Sequence, residues 1–263
     1  MIHITGWTGI YHSYAMVNQW QLLSIYNKGR RISYKEAQLL PGYSKKTSPA
    51  GFPKPLEKKL DEITSSKFQA EIKAEYRITF PFDISPMPMR DVFVFGTAEL
   101  GRYPHEGNAK KDEFVKKLNS NEFTLITPSA WSKNGFIRSG ADESHIKVIS
   151  HGVDTAIFKP FSHDQRKNLR RQIGIDQDDF VIANFGAMTA NKGIDLLLTA
   201  AWILRNKIPN LKILLKDAKS LYGISLVHVL SGIPDDVRNR IISDLKEKII
   251  LHSYSLNTLK YLE

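Results

Sequence analysis

Short apolar runs alternate with amphipathic stretches along nearly the whole chain, and this rhythm restricts the possible folds more than any other feature. A short apolar run bounded by turn residues reads as a buried strand, and strands alternating with helices of about 10 to 15 residues form parallel βαβ units. The pattern predicts strands at Ile2–Thr5, Glu75–Phe80, Val92–Phe95, Phe123–Thr127 and Ile146–Ser150, with helices at Ser13–Lys28, Ala109–Leu118 and Ser129–Ser139. Beyond Pro160 it predicts helices at His163–Ile173, Lys192–Asn206 and Asp235–Lys246, and strands at Phe180–Phe185, Leu211–Lys216 and Ile249–His252. Gly29 and Gly140 stop helices, and Pro234 starts one. The expected class is α/β, with two Rossmann-like domains of which the second is incomplete. The turn-like segment Val153–Pro160 breaks the alternation, so the domains are expected at 1–155 and 156–263. Leu40–Pro55, with four Pro and three Lys, reads as a long surface loop.

Charge and composition narrow the function. With 37 Lys and Arg against 27 Asp and Glu, the net charge is +10. Such a surface suits nucleic acid, an anionic membrane face or a phosphorylated small molecule. No helix-turn-helix, aromatic RNA-binding pattern or zinc spacing supports nucleic acid. With no Cys, the chain has no disulfide, no thiolate metal site and no cysteine nucleophile. No apolar run approaches the roughly 20 residues that cross a bilayer, and Met1–Gly6 lacks the features of a signal peptide, so a cytoplasmic location is expected. Lys110, Lys111, Lys116 and Lys117 share a predicted helix with Phe114, Val115 and Leu118, which gives either a solvated face or a peripheral contact with an anionic inner membrane face.

Three segments carry candidate chemistry. The turn after the first strand, Gly6–Ala15, contains Gly6, Gly9, His12 and Ser13; its glycines allow a ligand close to the backbone, and Ser13 is expected to cap the next helix. This turn is either a plain strand-to-helix connection or an anion site at the ligand-binding edge of a parallel sheet. Asn184–Leu197 ends a strand in Gly186 and starts a helix beside Lys192, so amides, helix dipole and ammonium can converge on one diphosphate. Lys216, at the predicted end of the next strand, is either an ordinary solvated lysine or a second cation at the same edge. Glu99, just past Val92–Phe95, is either a solvated carboxylate or a hydrogen-bond acceptor for a substrate hydroxyl. His105, in a Gly- and Pro-rich loop, reads as surface.

The stretch Thr127-Pro128-Ser129, helix, Gly140, strand, Gly152-Val153-Asp154 and Phe158-Lys159-Pro160 resembles the segment that closes the N-terminal domain of family 4 glycosyltransferases of the GT-B fold. His151 departs from the Asn often found there. Gly186-Ala187-x4-Lys192-Gly193 is similar to that family's donor-phosphate loop, with Ala187 where the family has Arg. The resemblance implies a hexosyltransferase-like enzyme that transfers a sugar from a nucleotide diphosphate sugar to a hydroxyl, with retention of configuration and without a metal or cofactor. The acceptor is then a saccharide, a lipid-linked compound or another hydroxyl compound. The resemblance also implies that Gly9, Gly186, Lys192 and Lys216 serve the donor phosphates, with His12 and Glu99 as candidate catalytic groups. The family's E-x7-E motif lies beyond the strand matching Ile249–His252, so a truncated and inactive fragment is expected. Ala187 leaves a second reading open, that of a non-catalytic GT-B-like binding or partner subunit.

Overall fold

In a computed structural model, residues 1–10, 12–39, 54–66, 71–87, 91–104, 108–156, 158–186, 192–216 and 226–252 are described. The chain divides into two units, Met1–Asp154 and Thr155–Glu263.

In the first unit the short apolar runs become strands β1 (Ile2–Gly6), β2 (Ile32–Glu36), β3 (Ala74–Ile78), β4 (Asp91–Phe95), β5 (Thr124–Thr127) and β6 (Ile146–Val148). Helices α1 (Ser13–Asn27), α2 (Lys54–Ser65), α3 (Asn108–Asn119) and α4 (Ala130–Arg138) connect them. The six strands lie in the order β2-β1-β3-β4-β5-β6, with every pair parallel. From β1 the chain moves outward to β2, returns past β1 to β3, and then steps the other way. The loops after β1 and β3 therefore leave the sheet in opposite directions, which opens a crevice at its carboxyl edge.

Both faces of this sheet are buried, as a parallel sheet requires. Ile4 and Ile32 pack with Leu22 and Leu23 of α1 and with Leu60 and Ile63 of α2. Val92, Val94, Leu125 and Ile146 belong to a second cluster with Phe114 and Leu118 of α3 and Phe136 of α4. Phe114 and Phe136 stack with ring centroids 5.7 Å apart. On β3 the buried Arg77 pairs with Glu75 at 3.1 Å and donates to the carbonyls of Asp83 and Ser85 at 3.2 and 2.6 Å. A guanidinium with that many fixed acceptors pins the segment that follows β3.

The second unit contains α5 (His163–Gln172), β7 (Phe180–Asn184), α6 (Ile194–Leu204), β8 (Leu211–Lys216), the single turn α7 (Leu226–Val229), α8 (Asp235–Leu245) and β9 (Ile249–His252). Its described strands form a parallel sheet in the order β7-β8-β9. Leu211, Ile213 and Leu215 pack against Ile194, Leu198 and Ala201 of α6 and Ile241 and Leu245 of α8.

The α/β architecture with a parallel six-stranded sheet and a second parallel sheet agrees with the sequence reading; several local expectations do not. Three elements, β2, α2 and the single turn α7, were not foreseen. Leu56, Leu60 and Ile63 have helical spacing that marks α2, and Lys54 and Pro55, expected in a loop, lie in its first turn. Residues 40–53, the rest of that expected loop, lie outside the described residues. The cap of α1 is His12 rather than Ser13. Helix α6 begins at Ile194, because Gly193 adopts a left-handed φ of 64° at its N-cap. Helix α8 begins at Asp235 as expected, with Pro234 as its N-cap.

One contact joins this frame to the loop after β4. A Cβ added to Gly135 of α4 would lie 2.7 Å from Ala98 Cβ and 2.9 Å from the Gly101 carbonyl carbon. Gly135→Ala is expected to cost about 1 to 3 kcal/mol through this overpacking, read as a lower unfolding midpoint. Gly152→Ala, where nothing lies within 4 Å, should leave the midpoint unchanged.

Candidate functional site

The carboxyl edge of the first sheet is built from polar side chains that hold its loops. Gly6 permits a close approach, since a Cβ there would fall 2.7 Å from the Asn18 side chain. Asn18 in turn donates to the Trp7 carbonyl at 2.9 Å. Trp7 Nε1 donates to the Gln38 carbonyl at 3.0 Å, and its ring is buried. Glu36, closing β2, accepts from the Thr8 amide at 2.9 Å and from Thr8 Oγ1 at 2.8 Å. Gly9 takes a φ of 66°, and its amide donates to Gln19 Oε1 at 3.2 Å. The amides of Thr8 and Gly9 thus have side-chain acceptors inside the protein.

His12 performs a specific task here. Its Nδ1 accepts from the Tyr14 amide at 3.1 Å, capping α1, while its ring meets Trp7 edge-on at a centroid distance of 5.0 Å. An accepting Nδ1 places the ring proton on Nε2, so the capped state holds a neutral imidazole. Burial lowers its pKa below 6.5, opposed in part by the negative charge of Glu99. A helix N-terminus also disfavours a cation at this position.

Tyr14 links the first loop to the next. Its hydroxyl lies 3.1 Å from Thr97 Oγ1 and accepts from the Thr97 amide at 3.2 Å. Burial pushes the phenol up to about 12, so it stays protonated and available as a donor. The Ala98 amide donates to Ser132 Oγ at 2.8 Å, and Thr127 Oγ1 donates to the same oxygen at 2.5 Å. Beyond this anchored segment Glu99 and Leu100 are exposed. Trp131, in the first turn of α4, is 62% exposed, with the Arg138 guanidinium 5.5 Å from its ring centroid. Arg138 Nε also donates to the Gly101 carbonyl at 3.0 Å, which braces both side chains. His151 stacks on Phe95 with centroids 5.8 Å apart, and burial lowers its pKa.

The second unit supplies a different arrangement. The Gly186 amide donates to Asn184 Oδ1 at 2.9 Å, forming a tight turn at the end of β7. A Cβ on Gly186 would lie 3.4 Å from Lys192 Cγ and 3.6 Å from Cδ, so the Lys192 stem runs along this glycine. Directly after it, Gly193 is the N-cap of α6, and it makes no side-chain hydrogen bond to the helix's first amides. An uncapped helix N-terminus beside an exposed ammonium favours an anion by dipole and by charge. Lys216 closes β8 one residue past Leu215, the register partner of Asn184, and so reaches the same sheet edge.

Gly9, His12 and Glu99 therefore share the carboxyl edge of the first sheet, and Gly186, Lys192 and Lys216 share that of the second. Ala187 and His105 lie outside the described residues. The sequence reading gave no role to Asn18, Gln19, Glu36, Tyr14, Thr97 or Trp131. Asn18 and Gln19 were detectable as polar residues on the buried side of a helix, whereas the Tyr14–Thr97 link spans 83 positions and has no local signal. Among the described residues no group of three or more His, Asp or Glu is placed to hold a metal ion, and no helix is long and apolar enough to cross a membrane.

Two solved structures share this architecture over nearly the full chain. A glycosyltransferase from Rickettsia africae superimposes with a TM-score of 0.64 at 12% identity, covering 98% of this chain and 69% of that one. Anabaena HepE, solved in complex with UDP-glucose, gives a TM-score of 0.62 at 17% identity over 95% of this chain and 68% of HepE. The chain has the GT-B glycosyltransferase fold. A stretch of 77 residues is 34% identical to the D-inositol 3-phosphate glycosyltransferase of Salinispora arenicola; it amounts to 28% of this chain and 17% of that enzyme. No family model matches the chain.

Within this GT-B frame two imidazoles, the half-buried His12 and the more exposed His151, give a pH signature. A histidine whose folded pKa lies below its unfolded value binds fewer protons in the folded state, so its contribution is full above pH 6.5 and is lost as pH falls below it. The unfolding midpoint is expected to drop between about pH 7.5 and 5.5. His12→Asn keeps an N-cap acceptor, and combined with His151→Asn it should flatten that slope in thermal melts.

Proposed function

We propose that the chain is a glycosyltransferase acting on a nucleotide diphosphate sugar, which it binds through the second unit. The observation that carries this reading is the Lys192 stem laid against Gly186 at the uncapped start of α6, on a chain with the GT-B fold. In the transfer, an acceptor hydroxyl oxygen bonds to the anomeric carbon as the bond from that carbon to the diphosphate oxygen breaks. The electron pair leaves with the diphosphate, the hydroxyl proton passes to the departing oxygen, and the acceptor oxygen bonds on the same face that the diphosphate leaves, which gives retention of configuration. The charge growing on the diphosphate is the largest electrostatic demand of this step. Lys192, the dipole of α6 and Lys216 meet it without a metal or cofactor. HepE, of the same fold, was solved with UDP-glucose, which supports this donor class.

The first unit holds the acceptor. His12 contributes a neutral ring rather than a base or a cation, because its Nδ1 lone pair is taken by the Tyr14 amide. Glu99 is the exposed carboxylate that orients an acceptor hydroxyl. Trp131, open on its outer face and braced by Arg138, offers an apolar platform for the ring of a saccharide or lipid-linked sugar.

Lys192→Ala removes a charge-assisted phosphate contact of about 1.5 to 3 kcal/mol, roughly a ten- to hundredfold loss in donor affinity by calorimetry. Unchanged affinity would move the donor elsewhere. The Ala at position 187 favours a second reading, a GT-B-like subunit that binds without turnover, since a methyl group does not replace a bidentate Arg. Ala187→Arg is then expected to tighten nucleotide sugar binding, and an assay of donor hydrolysis by the unmodified chain separates enzyme from binder.

A further inference from the structure

The amino edge of the first sheet, opposite the loops described above, carries a cleft of about 460 Å³ where the end of α1, the start of β2 and α2 meet. Its walls include Tyr26, Asn27, Arg30, Arg31, Lys59 and Ser66. Three of these six residues are cations, and among the described residues the lining contains no carboxylate. Lys59 Nζ is held in place by Asn27 Oδ1 at 2.6 Å and lies 5.1 Å from the centre of the Tyr26 ring. Arg30 and Arg31 are exposed and make no ion pair among the described residues.

Cations commonly gather at a helix C-terminus to meet its carbonyls. Here the backbone already does that: the Lys28 amide donates to the carbonyls of Ser24 and Ile25, the Gly29 amide to Tyr26 at 2.8 Å, and the Arg30 amide to Ile25 at 3.4 Å. Gly29, with a φ of 69° and nothing within 4 Å of an added Cβ, turns the chain so that both arginines follow at the cleft. A fixed ammonium, two guanidiniums and an aromatic wall form a donor-rich concavity of a kind that matches a phosphate ester, because guanidinium forks fit phosphate oxygens in pairs.

We propose that this cleft is a phosphate-ester site separate from the donor site, filled either by the headgroup of an anionic lipid or by a soluble phosphate. It lies at the edge of the sheet away from Gly9 and Glu99, and it stands whether or not the donor reading holds.

The test uses the full chain with two probes: inorganic phosphate, followed by amide NMR shifts, and vesicles of phosphatidylglycerol in phosphatidylcholine against phosphatidylcholine alone, followed by co-sedimentation. A lipid site gives sedimentation only with phosphatidylglycerol, and a soluble-phosphate site gives saturable shifts at Gly29, Arg30 and Arg31; either supports the proposal. Arg30→Gln/Arg31→Gln should weaken vesicle binding about thirtyfold, since each surface cation contributes about fivefold, or abolish the phosphate shifts at Gly29 and Lys59. Equal thermal melts of variant and parent establish that the variant is folded, and Arg30→Lys/Arg31→Lys should recover part of the binding. Lys192→Ala, which reports on the donor site alone, should leave both readouts unchanged. No binding of either probe, or binding that the Gln variant leaves intact, overturns the proposal.

Discussion

A parallel strand can pair with the next only if the chain crosses back over the sheet, and the layout of this protein follows from that constraint. Every crossover leaves from the carboxyl edge and re-enters at the amino edge, so β1, β3, β4 and β5 deliver their following loops to one side. The reversal of direction between β1 and β3 keeps those loops from closing over one another. Gly9, His12, Thr97, Glu99 and Trp131 come together for this reason, although they are spread over more than a hundred residues of sequence. The same constraint in the second unit sets Gly186 beside Lys216.

What fixes these loops differs between the two edges. In the first unit the amides of the β1 turn are taken by Glu36 and Gln19, and the α1 terminus is capped by His12. A loop with its donors internally paired is rigid and shaped, suited to presenting side chains rather than backbone. In the second unit Gly193 caps α6 without a side chain, and the exposed Lys192 stem runs along the Gly186 turn. Unpaired helix amides beside a lysine favour negative charge. The two edges thus differ in polarity, and the proposed division between an acceptor surface and a donor-phosphate surface rests on that difference.

The basic balance of the chain is distributed rather than concentrated at one edge. Lys192 and Lys216 end strands or start helices at the carboxyl edge, whereas Arg30, Arg31 and Lys59 gather at the amino edge of the other sheet. Lys117 of α3 instead pairs with Glu113 at 3.0 Å, one turn earlier, which identifies part of that basic helix as an ordinary solvated face. Net charge alone does not distinguish these groups of cations; their places in the fold do.

Much of the fold was legible in the sequence because it depends on local periodicity and punctuation. Buried strands such as Val92–Phe95 and Leu211–Lys216 announce themselves as apolar runs, Ser129 caps α4 with its hydroxyl 3.2 Å from the Ser132 amide, and Gly140 follows that helix with a φ of 102°. The Gly186–Lys192 loop was visible for the same reason, since its residues lie within seven positions of one another. Strand β2 was missed because Ile-Ser-Tyr-Lys-Glu follows Gly29 closely and has no apolar run of its own; it becomes a strand by pairing with β1. The neutral state of His12, the Tyr14–Thr97 bridge, the Ser132 anchor and the braced Trp131 belong to the tertiary structure alone. The Tyr14–Thr97 bridge and the Ser132 anchor depend on partners contributed by other elements, and the Trp131–Arg138 pair is fixed by the Gly101 carbonyl of the loop after β4; the His12 cap is local, but the burial that favours its neutral state arises only when the elements pack.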